Sequence, residues 1–188
     1  MGGFAHLHLH SEYSLLDGAC RISDIPKAAK ACGHSAVAIT DHGVMYGVID
    51  FYKACKAEGI KPIIGCEVYV APKSRFEKSR VDGVAGYHLV LLVKNEVGYK
   101  NLIYLVTKAF TEGFYSRPRI DLELLSSHCE GLIALSACIA GRIPKLLLAD
   151  DFEGAKAHAL EMNTLFGDGN FYLEVQDHGI EEERTVRE

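Results

Sequence analysis

The chain has 188 residues, of which 48% are hydrophobic and 24% charged, so it has material for one domain with a real core. Its net charge of −5 argues against a dedicated nucleic-acid-binding module, which is normally basic. Six cysteines without a Cys-x-x-Cys pair, and no signal peptide or apolar span, are expected of a cytosolic chain with free thiols and no membrane segment.

Strand-like and helix-like segments alternate along the sequence. Phe4–Leu9 reads as a first strand, because His6, Leu7, His8, Leu9 and His10 alternate with period 2. That register puts His6, His8 and His10 on one face and the leucines on the other. Ser23-Asp24-Ile25-Pro26 is a helix start with an early proline; Lys27–Cys32 continues it and Gly33 ends it. Ser35–Thr40 is a second strand. Tyr46–Glu58 is a helix with Val48, Ile49, Phe51, Tyr52 and Cys55 near one face, stopped by Gly59. Lys61–Val70 is a third strand. Lys73–Arg80 is a basic stretch, read as a solvated loop. Tyr87–Val93 is a strand, either of a plain barrel or of a hairpin with 68–71 around that loop. Asn101–Phe110 is an apolar helix, 118–127 turns into a short one, and Gly131–Ser136 is a strand. Ile143–Leu148 and Phe152–Phe166 are helical, Asn170–Val175 is the last strand, and Ile180–Glu188 begins a charged helix.

The alternation implies parallel strands and an α/β fold. About six strands are one or two short of a closed barrel, and the chain stops in a helix. A fragment cut before its closing strand is therefore expected.

The residue types that bind metals cluster at strand ends. His8 and His10 sit one pleat apart, where two imidazoles can share an ion or bridge a pair. Asp17 follows one loop later. Asp41-His42-Gly43 follows Ser35–Thr40, Glu67 follows 62–66, His88 opens Tyr87–Val93, and Cys138 follows 132–137. In a barrel of parallel strands the C-terminal ends gather on one rim, so these residues would converge. Cys20, Cys32, Cys55 and Cys129 read as small buried or half-buried residues, and Cys66 as facing away from Glu67.

Six segments together resemble a known family. They are His8-Leu9-His10-Ser11 with Ser14-Leu15-Leu16-Asp17-Gly18; Ala38-Ile39-Thr40-Asp41-His42-Gly43; Gly59 through Glu67; Gly98-Tyr99-Lys100-Asn101-Leu102; Gly113-Phe114-Tyr115 with Pro118-Arg119-Ile120-Asp121; and Glu130 through Cys138. The chain resembles the polymerase and histidinol phosphatase (PHP) domain family. The tyrosine-asparagine helix and Arg119-Ile120-Asp121 resemble its bacterial replicative polymerase branch more than its stand-alone phosphatases. The resemblance implies a distorted (β/α)7 TIM-like barrel spanning residues 1–188 and lacking its closing strand. It implies up to three zinc or manganese ions, held here by His8, His10, Asp17, His42, Glu67, His88 and Cys138. Two further ligands, an Asp-x-His on the closing strand, are expected beyond Glu188. It also implies metal-dependent phosphodiester hydrolysis at DNA 3′ ends within a DNA polymerase, in the company of downstream polymerase domains and replisome subunits. A non-catalytic, metal-stabilised scaffold is the alternative, and a free-standing phosphatase a weaker one.

Several residues remain at the margin. His6 rivals His8 in register but lacks the Ser11 and Asp17 context. Asp41 either orients a ligand imidazole or caps the next helix. His178, in Asp177-His178-Gly179, repeats the Asp41-His42-Gly43 pattern and is expected at the site rim. Lys61 and Arg142 could reach a substrate phosphate. His34, His128 and His158 carry no motif and read as surface residues.

Overall fold

A computed structural model describes residues 3–188. The chain is α/β, built on a six-stranded mixed sheet in the order β1-β2-β3-β5-β6, with β4 added to the edge of β2. The strands are β1 (Ala36–Ile39), β2 (Lys61–Val70), β3 (Tyr87–Val93), β4 (Arg119–Ile120), β5 (Leu132–Leu135) and β6 (Phe171–Tyr172). The helices are α1 (Ile25–Ala31), α2 (Val48–Glu58), α3 (Glu96–Thr111), α4 (Leu122–Ser127), α5 (Arg142–Leu148), α6 (Phe152–Phe166) and α7 (Glu181–Arg187). Among the described residues the sheet stays open between β1 and β6.

Strand parity sorts the side chains into two layers. Cys66, Val68, Val70, Leu89, Leu91, Leu132 and Ala134 point outward and are buried with Leu102, Leu105 and Ala109 of α3 and Leu124 and Leu125 of α4. Val37 and Ile39 point outward against α1 and α2, with Ile25, Phe51 and Cys55. The opposite parity forms the inner layer: Ala38, Val90, Leu92 and Leu135, with Ile63 and Ile133 beside them. Glu67 shares that inner parity with Ile63, which makes it a carboxylate on an apolar wall.

Of the two readings of Tyr87–Val93, the hairpin with 68–71 is the one that forms, so the sheet is not all parallel. β3 runs antiparallel to both β2 and β5, while β1, β2, β4, β5 and β6 share a direction. The 71–86 connection is a hairpin loop without a crossover helix, so β3 must reverse. That reversal matters for the site. It puts the N-terminal end of β3, carrying His88, at the same rim as the C-terminal ends of its neighbours.

Phe4–Leu9 is not a ladder strand. Ala38 N donates to His6 O at 2.8 Å and Thr40 N to Leu9 O at 2.8 Å. Three residues therefore span what two span on β1, and the chain bends at His8. The extra residue breaks the period-2 register. His6 turns away to pack on Phe4 and His34, while His8 and His10 keep the inner direction.

Other local signals act as their chemistry dictates. Asn95 caps α3 by accepting from Gly98 N at 3.1 Å. A Cβ on Gly98 would lie 1.8 Å from Gly131 O, so only glycine lets α3 start this close to the β5 approach. β4 went unread in the sequence because a two-residue strand has no periodicity. Cys20 and Cys32 are exposed, contrary to expectation; Cys55 and Cys66 are buried and Cys129 is half-buried. All six cysteines are free. His34, His128 and His158 are half-buried. No helix among the described residues is long and apolar enough to cross a membrane.

The basic loop is pinned, contrary to its reading as a solvated one. Arg75 donates to Asp121 at 2.9 Å and to Glu112 at 2.9 Å. Asp121 also caps α4 by accepting from Leu124 N at 3.0 Å. Arg119, 1% exposed, spends its guanidinium on the carbonyls of Gly113, Ala85 and Glu77. Asp121→Ala, which strips both the cap and the Arg75 partner, is expected to lower unfolding stability by about 3 kcal/mol in urea denaturation. A loss under about 1 kcal/mol would restore the solvated-loop reading.

Candidate metal centre

Four chain segments deliver donors to one point at the rim. β2 carries Glu67, which is completely buried. Three imidazoles converge on its carboxylate. His8 Nε2 lies 2.8 Å from Oε2, and His42 Nδ1 and His88 Nδ1 lie 2.6 Å and 2.7 Å from Oε1. His10 Nε2 is 3.9 Å from Oε2, and its ring stacks on His42 at 3.9 Å. The register explains the convergence: His42 bridges to Glu67 just past the end of β1, and β3 runs back past Glu67 toward His88.

Two overlapping donor groups result, His8–His10–Glu67 and His42–Glu67–His88, each with ligand atoms within 4.8 Å of one another. The other expected residues flank them. Asp17 Oδ2 meets His42 Nε2 at 3.0 Å. Cys138 Sγ lies 3.6 Å from His88 Nδ1. Cys138 follows Ala137, a non-glycine residue at φ 63°, so the backbone turns sharply to present it.

The structure adds a residue that the sequence reading missed. Glu174 Oε1 lies 2.7 Å from His8 Nδ1. Its backbone N–H donates to Ser136 Oγ at 2.8 Å, which fixes it beside β5. The signal was present: Glu174 follows β6 just as Glu67 and Cys138 lie along or beyond apolar runs. The Asp177-His178-Gly179 repeat drew attention instead.

Three marginal residues do other work. Asp41, 1% exposed, neither orients an imidazole nor caps a helix. It accepts from Ser11 N at 2.6 Å, Ser11 Oγ at 2.7 Å and Ser14 Oγ at 2.7 Å, and so anchors the loop that carries Asp17. Lys61 opens β2, six residues before Glu67, at the opposite end of the strand from the cluster. His178 is 69% exposed at its side chain and pairs with Glu183 Oε1 at 2.6 Å. Both line an open groove of about 1080 Å³ that runs along the sheet's gap past His8.

Electrostatics follow from the burial of Glu67. Burial alone would raise its pKa, but hydrogen bonds from His42, His8 and His88 overcome that and hold the carboxylate well below its usual range. His8 contacts a carboxylate through each ring nitrogen, an arrangement that favours the imidazolium. Burial opposes that charge, yet bonds from Glu174 and Glu67 raise its pKa to about 9. His42 is likewise bonded to Glu67 and Asp17, and is raised against its own burial. His10 is lowered, by burial and by the charge on His42. Burial pushes the Cys138 thiol up to about 11.

The donor set fits a metal cluster. Imidazole, carboxylate and thiol together match zinc or manganese better than an all-oxygen calcium or magnesium site. His10 Nδ1 and Glu174 Oε2 are buried with no protein partner. The imidazolium of His8 supplies positive charge that ions would otherwise bring.

The chain belongs to the PHP domain family: the family's sequence profile, described as "PHP domain", matches residues 6–178. Among curated relatives, it is 54% identical over 184 residues to DNA polymerase III subunit alpha of Treponema pallidum, covering 97% of this chain and 16% of the relative. It is 55% identical over 186 residues to the protein of the same name from Borreliella burgdorferi (98% and 16%), and 47% identical over 189 residues to that of Thermus aquaticus (98% and 15%). The chain thus spans about one-sixth of these relatives. Two solved structures share the fold. One, from Bifidobacterium adolescentis and described as a metal-dependent phosphoesterase, has a TM-score of 0.56 at 14% identity, covering 97% of this chain and 80% of its own. The other, an amidohydrolase from Chromobacterium violaceum, has a TM-score of 0.52 at 18% identity, covering 96% and 80%. The fold is thereby a distorted, open TIM-like one.

The imidazolium network has a pH signature. The folded pKa of His8, about 9, lies above its free value near 6.5. The stability it contributes is complete below pH 6.5 and is lost as pH rises through 9. Metal-free protein should therefore melt at progressively lower temperature from pH 6.5 to 9, whereas metal-loaded protein should not. A flat metal-free profile would contradict the protonated network.

Proposed function

We propose that this chain is the metal-dependent phosphodiester-hydrolysing PHP domain of a longer bacterial replicative DNA polymerase, trimming DNA 3′ ends. The observation that carries it is the Glu67-centred cluster, two donor groups sharing one buried carboxylate at a barrel rim. The relatives, which are DNA polymerase III alpha subunits, support the polymerase context, and a fold neighbour described as a phosphoesterase supports the ester chemistry.

His8, His10, Asp17, His42, Glu67, His88 and Cys138 would hold zinc or manganese, up to three ions in all, with Glu174 completing the His8 side. When bound, such ions supply Lewis acidity: they acidify water and neutralise phosphate oxygens. The protein's own residues do the rest. Glu67 sets the spacing of the imidazoles by accepting from three of them. Asp41 holds Ser11 and Ser14, and through them the loop that places Asp17. His42, at the open side between Glu67 and Asp17, has its ring orientation fixed by a carboxylate at each nitrogen. The nucleotidyl-transfer site lies in other domains of the parent. In this reading the partners are a DNA 3′ end, those downstream domains and replisome subunits, all in the cytoplasm.

The test is hydrolysis of a single-stranded 3′ end by the metal-loaded, full-length protein. Glu67→Gln, His8→Ala and Asp17→Ala are each expected to reduce it to background. Hydrolysis unchanged in all three would contradict the proposal. Wild type that binds metal and is stabilised by it, yet cleaves nothing, would make the domain a scaffold. Turnover of phosphate monoesters in place of diesters would make it a phosphatase.

A further inference from the structure

We infer that Arg117 binds a non-bridging oxygen of the phosphate held at the metal centre, and that Tyr69 positions it. This rests on the phosphodiesterase reading above and names a residue for its substrate.

The placement starts from strand geometry. Tyr69 lies two residues beyond Glu67 on β2, so it is the next inner-facing side chain toward the rim. Its ring lies 5.1 Å from His88 and 6.4 Å from His42, stacked on the latter. β1 pairs with β2 only as far as Ile64 in regular ladder, and β3 occupies the other edge of residues 65–70. β4 therefore adds to the edge that β1 has vacated, with Arg119 opposite Tyr69. This brings the residues before β4 down beside His42. Pro118 fills the space at Gly43, where a Cβ would lie 2.8 Å from Pro118 Cγ.

Arg117 enters at this point. Its Nη1 donates to Tyr69 Oη at 2.6 Å, and its guanidinium carbon lies 4.8 Å from the Tyr69 ring centroid. The preceding turn is built to present it: Ser116 has φ 60° without being glycine, and Tyr115 N donates to Arg117 O at 3.0 Å. One buried ring thus separates the guanidinium from two imidazoles of the centre.

The neighbouring arginines are committed elsewhere. Arg75 is paired with Asp121 and Glu112, and Arg119 is surrounded by carbonyls. Among the described residues, Arg117 has no carboxylate partner. It is exposed, and its hydrogen bond to Tyr69 uses only one of the five guanidinium donors. A planar, permanently charged fork held beside a carboxylate- and imidazole-rich centre suits an anionic phosphate.

The experiment titrates inorganic phosphate into metal-loaded protein by calorimetry, which reads binding without turnover. Metal content is measured on every variant. Arg117→Ala should bind phosphate about ten- to a hundredfold more weakly at unchanged metal content, and Arg117→Lys should recover part of the loss. Tyr69→Phe, which keeps the ring and removes the hydroxyl, should weaken binding several-fold. Equal phosphate affinity in wild type and Arg117→Ala would overturn the inference. So would a wild type that binds no phosphate, or an Arg117→Ala protein that loses its metal or only its thermal stability. Absence of diester hydrolysis with phosphate binding still dependent on Arg117 would remove the phosphodiesterase reading and leave this assignment in place.

Discussion

A carboxylate with no access to water must be satisfied by hydrogen-bond donors, by positive charge, or be neutralised. Glu67 is that carboxylate, on the inner face of β2 among apolar residues. The answer here is three imidazoles from three segments, all within 2.8 Å of its oxygens. Each is delivered by a different device: the bend at His8, the end of β1, and the reversed strand β3. The same positive charge can arrive as an imidazolium proton on His8 or as metal ions, because both compete for the same lone pairs. The chemistry proposed for the domain depends on that exchange being possible.

A second buried carboxylate shows how different the solution can be. Asp41 lies one residue before His42 and is equally inaccessible. It is satisfied by two serine hydroxyls and an amide, and so needs no cation. Arg119 is the complementary case, a buried cation satisfied by carbonyls. These groups lock loops and carry no exchangeable charge. Glu67 is surrounded by groups that titrate and ligate. Adjacent positions on parallel segments therefore split into a structural carboxylate and a reactive one through their donors alone.

Much of this was legible in the sequence, and the failures have specific causes. β2 and β3 were bounded correctly because long apolar runs ended by glycine and polar loops leave little choice. The outward burial of Cys66 beside the inward Glu67 followed from strand parity. His8, His10, His42, Glu67 and His88 were named in advance and are brought together. The sequence left the direction of β3 open between a hairpin, which is what forms, and a crossover, since the two share the same apolar pattern. The bulge in Phe4–Leu9 was invisible for a related reason: period 2 in sequence does not reveal one residue slipping out of the ladder. Glu174 was passed over because a short strand with exposed Leu173 and Val175 around it gives a weak pattern, and only contact with His8 distinguishes it. Arg117 has no sequence signal, because its significance lies in the Tyr69 hydroxyl on another strand.

The exchange of protons for metal at Glu67 can be counted directly. Zinc or manganese would be titrated into metal-free protein near pH 7, in buffers of different ionisation enthalpy, so that calorimetry reports the protons released. Net release of protons, from the His8 imidazolium and from the Cys138 thiol, with the imidazolium share lost in Glu67→Gln, is the expected result. Metal binding with no proton release, or no binding at all, would contradict a centre in which imidazolium protons hold the places of ions.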